Sequence, residues 1–214
     1  MIVKDIMKNN IVTLRPEDTI SVALKTMKKN KIRHIPILND HHFLVGLITE
    51  RDVKDASPSI FQLELKENFL NKPIQDVMSK NLITGHPLDF VEEVAAILID
   101  NQIGCLPILQ DQKLVGLITK SDLLYTFVKL TGADQPSSRL EIRVPNKPGI
   151  LAEVSSILFH RRVNIASALV YSENDDQYKV LVLRVQTINV TLIIEDLNTA
   201  GYQVLWPEIP ENTK

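Results

Sequence analysis

Apolar residues recur along the chain with two different periods. Near the start, Ile20, Ala23 and Met27 follow one another at steps of three and four, with lysines mostly on the opposite side, which predicts a helix of about three turns. The apolar segments Ile35–Leu38 and Leu44–Thr49 flank a short polar turn, and this pattern predicts two strands joined as a hairpin. A further helix is predicted directly after the second strand.

The same plan occurs a second time. The six residues LVGLIT stand at Leu44–Thr49 and again at Leu114–Thr119, and an aspartate, Asp52 or Asp122, follows each copy. These pairs lie 70 positions apart, whereas equivalent residues earlier in the two copies lie 71 apart. The copies therefore differ in length by one residue in the hairpin turn, where such a change disturbs the fold least. The chain therefore contains a duplicated unit, and any site must be sought in both copies.

Breaks in the pattern divide the chain into segments. Small and turn-forming residues end the first unit at Ala56–Ser59, Phe61–Phe69 is predicted as a connecting helix, and the turn-rich stretch Thr131–Ser138 is predicted as a linker. The predicted organisation is a first unit at 1–56, a connecting segment at 57–72, a second unit at 73–130, a linker at 131–138 and a tail domain at 139–210.

The tail domain alternates strand and helix patterns in the order βαββαβ. That order predicts a ferredoxin-like fold, in which two helices cover one face of an antiparallel sheet. We expect Phe159 and Trp206 to fill its core. The predicted elements are strand Leu140–Val144, helix Leu151–Phe159, strand Val163–Tyr171, strand Tyr178–Val185, helix Val190–Ala200 and strand Tyr202–Trp206.

Composition limits the partners and the compartment. The 24 Lys and Arg are balanced by 26 Asp and Glu, so nucleic-acid binding, which needs clustered cations, is not expected. Cys105 is the only cysteine, which excludes an intrachain disulfide and a zinc site built on CxxC pairs. No stretch is typical of a secretory signal or a membrane span, and we expect a cytoplasmic protein without membrane contact.

Two positions in each copy suit a ligand. Thr49 and Thr119 stand at a strand-to-helix junction as candidate N-caps, and a helix N-terminus offers free N–H donors that suit a phosphate. Asp52 and Asp122, one turn on, can accept both hydroxyls of a ribose. The alternative interpretation is that Thr-x-x-Asp is an ordinary helix cap with no ligand present.

These motifs resemble known families. Each copy resembles the CBS domain. The resemblance lies in an apolar-x-Thr segment, a proline in the next strand (Pro36 or Pro107) and the motif G-h-h-T-x-x-D, in which h is an apolar residue. Two such copies in tandem resemble a CBS pair, or Bateman module. The tail, with Asn146–Leu151 and Val163–Ile165, resembles an ACT domain. The domain order and the phrases HPLDFVEE and LTGADQPSS are similar to AcuB-type acetoin-utilisation proteins. The resemblance implies an α+β fold, a tandem CBS pair followed by a ferredoxin-like ACT domain.

The resemblance also implies a ligand. In CBS pairs the Thr and Asp of the motif hold the ribose and phosphates of adenosine nucleotides, so an adenine nucleotide (AMP, ADP or ATP) is expected as a regulatory ligand, with the need for Mg²⁺ left open. The adenine is expected beside the apolar-x-Thr segments and the first strands of the hairpins. The implied nucleotide-binding residues are Val12, Thr13, Arg33, His34, Pro36, Thr49, Asp52, Ile83, Thr84, Cys105, Pro107, Thr119 and Asp122.

The two copies differ at one informative place. Arg33 and His34 in the first copy correspond to Gly104 and Cys105 in the second, so only the first offers cationic donors for a phosphate there. We therefore predict two unequal clefts. Cys105 itself follows the pattern of a core residue, because a free cysteine packs as a small apolar group.

The tail offers a second, weaker candidate site. Pro148-Gly149 precedes a helix, so the backbone amides of Gly149, Ile150 and Leu151 can receive a carboxylate, and ACT domains often bind amino acids at this place. Asn146 stands where an acid is common in that family, which weakens the expected contact with an ammonium group. A plain helix cap and dimerisation surface is the alternative.

No catalytic arrangement, phosphate-binding Walker loop or metal-ligand spacing occurs in the sequence, and we expect neither catalytic nor metal-binding residues. The preferred hypothesis is a non-catalytic regulatory sensor, a homodimer whose CBS pair binds an adenine nucleotide and, with the ACT tail, controls an unidentified protein partner. The AcuB resemblance suggests acetoin or acetate metabolism as its setting. The alternatives are a structural dimerisation scaffold without ligand and an uncharacterised enzyme.

Overall fold

The computed structural model describes residues 1–58, 68–173 and 176–208. The chain forms two compact units, one of residues 1–124 and one of residues from 125 onward. Most of the predicted connecting helix Phe61–Phe69 lies outside the described residues, and residues 68–70, at its end, are helical. The mixture of helices and antiparallel sheets confirms the α+β class.

Each repeat forms a helix, a two-stranded antiparallel hairpin and a second helix, as its apolar pattern predicts. In the first repeat these elements are α1 (Ile20–Asn30), β1 (His34–Leu38), β2 (Leu44–Thr49) and α2 (Glu50–Ala56). In the second repeat they are α3 (Val91–Asp100), β3 (Cys105–Gln110), β4 (Lys113–Thr119) and α4 (Lys120–Leu130). Short 3₁₀ turns precede them at Val3–Asp5 and Ile74–Asp76.

Local signals set the bounds of α1. The Thr19 hydroxyl oxygen accepts a hydrogen bond from the Val22 N–H at 3.4 Å and so caps the first turn. Lys31, at φ 54°, ends the helix in the left-handed conformation. The face predicted to be apolar is the buried one, because Ile20, Ala23 and Met27 all lie in the core.

The two repeats exchange their first segments. Val3, with Ile6 and Met7 beside it, packs into the core of the second repeat. Phe69 and Ile74 lie in the core of the first repeat. Each core is therefore completed by a segment that comes from the other repeat.

Backbone hydrogen bonds fix both exchanged segments in the same way. Lys8 and Leu117 each donate an N–H to the other's carbonyl, at 2.9 and 3.0 Å. Ser79 and Leu47 form the equivalent pair, also at 2.9 and 3.0 Å. Lys8 and Ser79 therefore occupy matching positions beside the second strand of the opposite repeat.

The two glycines of the repeated motif lie under these segments. A Cβ atom on Gly46 would lie 2.3 Å from the Met78 sulfur, and one on Gly116 would lie 2.3 Å from the Met7 sulfur. Such distances are far shorter than van der Waals contact, so any side chain here would displace the methionine. Close approach of the exchanged segment explains the two glycines.

The tail unit is a four-stranded antiparallel sheet with two helices. The strand order β6-β7-β5-β8 is that of a ferredoxin-like fold. Its core joins alternate residues of the central strands to the inner faces of both helices. The elements are β5 (Ser138–Pro145), α5 (Ile150–His160), β6 (Ile165–Ser172), β7 (Tyr178–Val185), α6 (Thr191–Thr199) and β8 (Gln203–Trp206).

The prediction that Phe159 and Trp206 fill this core is wrong. Phe159 is 77% exposed, because α5 turns its neighbour Leu158 toward the sheet. Trp206 is 52% exposed, because a bulge in the β5–β8 pairing changes the phase of β8. Val204 lies opposite the core residue Ile142, whereas Trp206 lies opposite Glu141.

Candidate functional site

A cleft of about 1000 Å³ in the first unit is lined by residues of both repeats. Leu47, Cys105 and Leu117 form a small apolar cluster that joins the two hairpins, and all three also line the cleft. The cleft therefore has an apolar floor made by the strands. Its polar groups come from the ends of those strands, from the helices that follow them, from the turns that precede β1 and β3, and from the segments around Lys8 and Ser79.

The cleft brings together many of the predicted nucleotide-binding residues. Those that line it are Arg33, His34, Thr49, Asp52, Ile83, Cys105, Pro107 and Thr119. Those that do not are Val12, Thr13, Pro36, Thr84 and Asp122. Two unequal clefts were predicted, and the structure shows one continuous cleft that carries parts of both motifs.

The apolar-x-Thr segments lie beside the first strand of each hairpin. The N–H of Leu14, directly after Thr13, donates to the Pro36 carbonyl at 3.3 Å. The N–H of Gly85, directly after Thr84, donates to the Pro107 carbonyl at 2.9 Å. The two segments predicted to hold adenine are thus placed alike in the two repeats.

In the first repeat the motif acid caps α2. The Thr49 hydroxyl oxygen accepts a hydrogen bond from the Asp52 N–H at 3.1 Å, and Asp52 Oδ2 accepts one from the Thr49 N–H at 2.8 Å. This reciprocal pair is a capping box, so the predicted capping role is confirmed. Among the described residues no ion pair involves Asp52, which lines the cleft.

In the second repeat the motif acid is bound more tightly. Asp122 Oδ2 accepts hydrogen bonds from the Thr119 N–H at 2.9 Å and from the Thr119 hydroxyl at 2.6 Å. Its Oδ1 forms an ion pair with Lys8 Nζ at 2.9 Å. Both oxygens of this carboxylate are therefore engaged.

Positive charge prevails in the cleft, although the chain as a whole carries a net charge of −2. Two of the lining acids are neutralised within α2, because Glu50 pairs with Lys54 at 2.9 Å and Asp55 with Arg51 at 3.4 Å. The cationic lining residues are Lys8, Lys31, Arg33, Arg51, Lys54 and Lys120, and the anionic ones are Glu50, Asp52 and Asp55. In the part of the chain that the structure describes, Lys31, Arg33 and Lys120 form no ion pair. These cations are available to an anionic ligand.

His34 and Cys105 both line the cleft, and each lies close to residues of the opposite repeat. A Cβ on Gly104 would lie 2.7 Å from His34 Nε2, so the imidazole packs directly over Gly104. Burial, with the nearby Arg33 guanidinium, lowers the pKa of His34. Burial, with the nearby Asp52 carboxylate, raises the pKa of the Cys105 thiol to about 12.

Lys8, Lys31 and Lys120 were not predicted from the sequence. Lys8 is far from Asp122 along the chain, and only the exchange of first segments brings the two together. A signal for its role existed, because Lys8 and Ser79 are equivalent residues of the two copies and differ in charge. The difference in cations between the two copies was predicted at Arg33 and His34 instead.

Two side chains beside the candidate amino-acid site of the tail, those of Asn146 and Glu153, form contacts within the chain. The Asn146 side-chain amide donates to the Asp176 carbonyl at 3.0 Å. Glu153, in the first turn of α5, accepts a hydrogen bond from the Tyr202 hydroxyl at 2.6 Å and pairs with Lys147 at 3.0 Å. Gly149 precedes the helix at φ 84°, Ile150 is half-buried against the core and Leu151 is exposed. A second carboxylate here would meet the negative charge of Glu153.

Within residues 1–58, 68–173 and 176–208, no group of three or more His, Cys, Asp or Glu side chains is placed to hold a metal ion. The described helices include none whose length and apolar character would let it cross a membrane.

Comparisons with known proteins agree with this architecture. The family model of the CBS domain matches residues 3–59 and 74–129, which is more than half of the chain, and that of the ACT domain matches residues 138–201. A CBS domain-containing protein of Dictyostelium discoideum is 32% identical over 143 residues, which cover 64% of this chain and 99% of that protein.

Two solved structures are informative. The CBS domain pair of protein MJ0100, in complex with 5′-methylthioadenosine and S-adenosyl-L-methionine, is 31% identical with a TM-score of 0.53, covering 63% of this chain and 98% of that one. A Vibrio cholerae protein described as the acetoin utilization protein AcuB is 28% identical with a TM-score of 0.55, covering 64% of this chain and 98% of that one. The chain belongs to the CBS domain family and carries two CBS domains in tandem followed by an ACT domain.

Proposed function

We propose that the CBS pair binds an adenine nucleotide and that the protein is a non-catalytic regulator which reports the level of that nucleotide to a metabolic partner. The observation that carries the proposal is the cleft, where cations and the carboxylate of Asp52 lie around an apolar floor, and where Asp122 follows directly after the lining residue Ser121. An apolar surface suits adenine, a carboxylate accepts ribose hydroxyls, and the cations suit phosphate.

Similarity to a ligand-bound relative supports the adenosine part of this proposal. The CBS pair of MJ0100 was solved with two adenosine derivatives. The present cleft favours a phosphate-bearing derivative, since Lys31, Arg33 and Lys120, which pair with no acid among the described residues, attract negative charge. The proposed ligands are AMP, ADP or ATP, with Mg²⁺ accompanying a polyphosphate as an open choice for experiment.

Regulation requires that the nucleotide bind one arrangement of the protein better than another. We propose a homodimer as the regulatory species, because β6 is an edge strand of the tail sheet and exposes Leu169, Val170 and Tyr171.

The likeness to AcuB of Vibrio cholerae makes acetoin or acetate metabolism the proposed setting, inside the cytoplasm.

A thermal-shift panel tests ligand binding directly. AMP, ADP, ATP, 5′-methylthioadenosine, S-adenosyl-L-methionine and amino acids would each be added to the full chain, with and without Mg²⁺. A ligand present at 100 times its Kd stabilises the folded state by about 2.7 kcal/mol, which raises the melting temperature by about 5–10 °C. AMP, ADP or ATP is expected to give this shift.

Variants then locate the site. Asp52→Ala and Asp122→Ala are each expected to weaken nucleotide binding measured by calorimetry, and Asp40→Ala, at an exposed aspartate of the first hairpin turn that does not line the cleft, is the matched control. A melting temperature that no adenine derivative raises would reject the proposal in favour of a structural scaffold. Turnover of a nucleotide by the purified protein would favour an enzyme.

A further inference from the structure

Lys8 is the one feature that most clearly separates the two halves of the cleft. Its position is equivalent to that of Ser79, because each residue pairs through its backbone with the second strand of the opposite repeat, Lys8 with Leu117 and Ser79 with Leu47. The two side chains therefore reach matching places beside the two motif acids. One copy places a cation there and the other places a hydroxyl.

The lysine engages the acid that a ribose would use. Lys8 Nζ lies 2.9 Å from Asp122 Oδ1, while Thr119 occupies Oδ2 through both its N–H and its hydroxyl. The Asp122 side chain is only 15% exposed, so the ion pair lies partly out of water. A ribose hydroxyl that donates to Oδ1 must compete with the ammonium group for that oxygen.

The equivalent acid in the first repeat has no such competitor. Asp52 Oδ2 accepts the Thr49 N–H, and within the described ranges no cation lies at ion-pairing distance from either Asp52 oxygen. Ser79 cannot supply the charge that Lys8 supplies to Asp122. A ribose can therefore bind Asp52 without breaking an existing ion pair.

We infer that Lys8 makes the two halves of the cleft unequal by competing with the ribose for Asp122. The half lined by Asp52 then binds an adenosine ligand first, and the half lined by Lys8 and Thr119, beside Asp122, binds it more weakly. This inference rests on the proposed function, because it assigns an order to the two adenosine positions. It places the difference between the halves at the ribose, whereas the difference predicted from Arg33 and His34 concerns the phosphate.

Calorimetry on the full chain with two probes tests the inference. AMP carries a phosphate and 5′-methylthioadenosine carries none, but both present the same ribose diol. Lys8→Ser copies the residue of the other half and is expected to tighten the weaker binding step by about threefold to tenfold for both probes, which is the contribution of a partly exposed ion pair. Ser79→Lys, the reverse change, is expected to weaken the tighter step by a similar factor.

Controls assign the effect to the ion pair. Lys4→Ser removes an exposed lysine from the same segment and is expected to leave both steps unchanged. Lys8→Ser made together with Asp122→Ala is expected to have no effect on binding beyond that of Asp122→Ala. The melting temperature of each variant without ligand shows that it is folded.

Three results would overturn the inference. Weaker AMP binding by Lys8→Ser, with 5′-methylthioadenosine unaffected, would make Lys8 a phosphate contact. Two equal steps in the unmodified protein would remove the inequality that Lys8 is meant to explain, while the proposed function would stand. Failure of both probes to bind the unmodified protein would remove the proposed function as well.

Discussion

At the scale of single residues, His34 shows how the cleft controls a charge. Its imidazole packs over Gly104, and the charged groups that face it are Arg33, Asp52 and Lys8. Burial and the two cations favour the neutral ring, whereas Asp52 favours the charged one. Burial and the two cations prevail, and the pKa of His34 is lower than the usual histidine value of about 6.5.

This lowered pKa predicts a loss of stability in mild acid. The pKa of His34 is about 6.5 in the unfolded chain and lower in the folded chain, so the unfolded chain takes up the proton first as the pH falls. The free energy of unfolding therefore decreases as the pH falls from 7.5 to 5.5. Urea denaturation at both pH values should show a smaller decrease for His34→Asn than for the unmodified protein. Equal decreases in the two proteins would contradict the assigned cause.

The residues of the site differ in how far the sequence could predict them. Thr49, Asp52 and Thr119 were predictable because a strand-to-helix junction is a local pattern, and the capping hydrogen bonds confirm it. Lys8 was not predictable in this way, since Lys8 and Asp122 are 114 positions apart in the chain and belong to different repeats. The adenine-binding and ribose-binding roles remain predictions.

At the scale of elements, the exchanged segments decide which positions tolerate change. Gly46 lies under Met78, and Gly116 lies under Met7. In both places a backbone without a side chain lets a methionine from the opposite repeat fill the groove. The two glycines are therefore required by packing, and both have a φ outside the left-handed region.

Gly46→Ala should destabilise the first unit. The added Cβ meets the Met78 sulfur at 2.3 Å and its Cγ at 2.9 Å, so the methionine must move, at a cost of about 1–3 kcal/mol. Urea denaturation of the full chain measures this loss.

The same substitution made in a Met78→Ala background is the control. With the long side chain removed, Gly46→Ala should cost much less there. An undiminished loss in that background would show that the Met78 contact is not its cause.

The helices and strands were easier to predict than the contacts between distant elements. The hairpins and helices follow from periods of two and of three to four residues, which depend only on neighbours along the chain. The position of Trp206 depends on a bulge in the pairing of β5 with β8, and no local pattern marks that bulge. The exchange of first segments likewise depends on contacts between distant residues.

At the scale of the whole molecule, the tail sheet offers a surface for self-association. Leu169, Val170 and Tyr171 of β6 are 43%, 54% and 48% exposed, and β6 is an edge strand. An apolar edge can continue its sheet with a second copy of the chain. This surface supports the proposed homodimer.

Val170→Lys should therefore weaken the dimer. A lysine on an edge strand opposes pairing with another strand, and we expect the dimer Kd to rise at least about tenfold. Light scattering coupled to size-exclusion chromatography measures the mass over a range of concentrations, with Val170→Thr as the control. A dimer that Val170→Lys leaves intact would place the interface elsewhere, and a monomeric unmodified protein would reject the homodimer.

The exchange of first segments gives the duplication itself a physical meaning. An ancestral chain with one copy would carry one methionine segment and one glycine groove. If the segment entered only the groove of another copy, as it does here, both would stay unpaired in the single chain. Two such chains would complete each other reciprocally, but only at sufficient concentration. Fusing their genes makes that association permanent. It also lets each copy mutate independently, which is the condition under which a lysine in one and a serine in the other can arise.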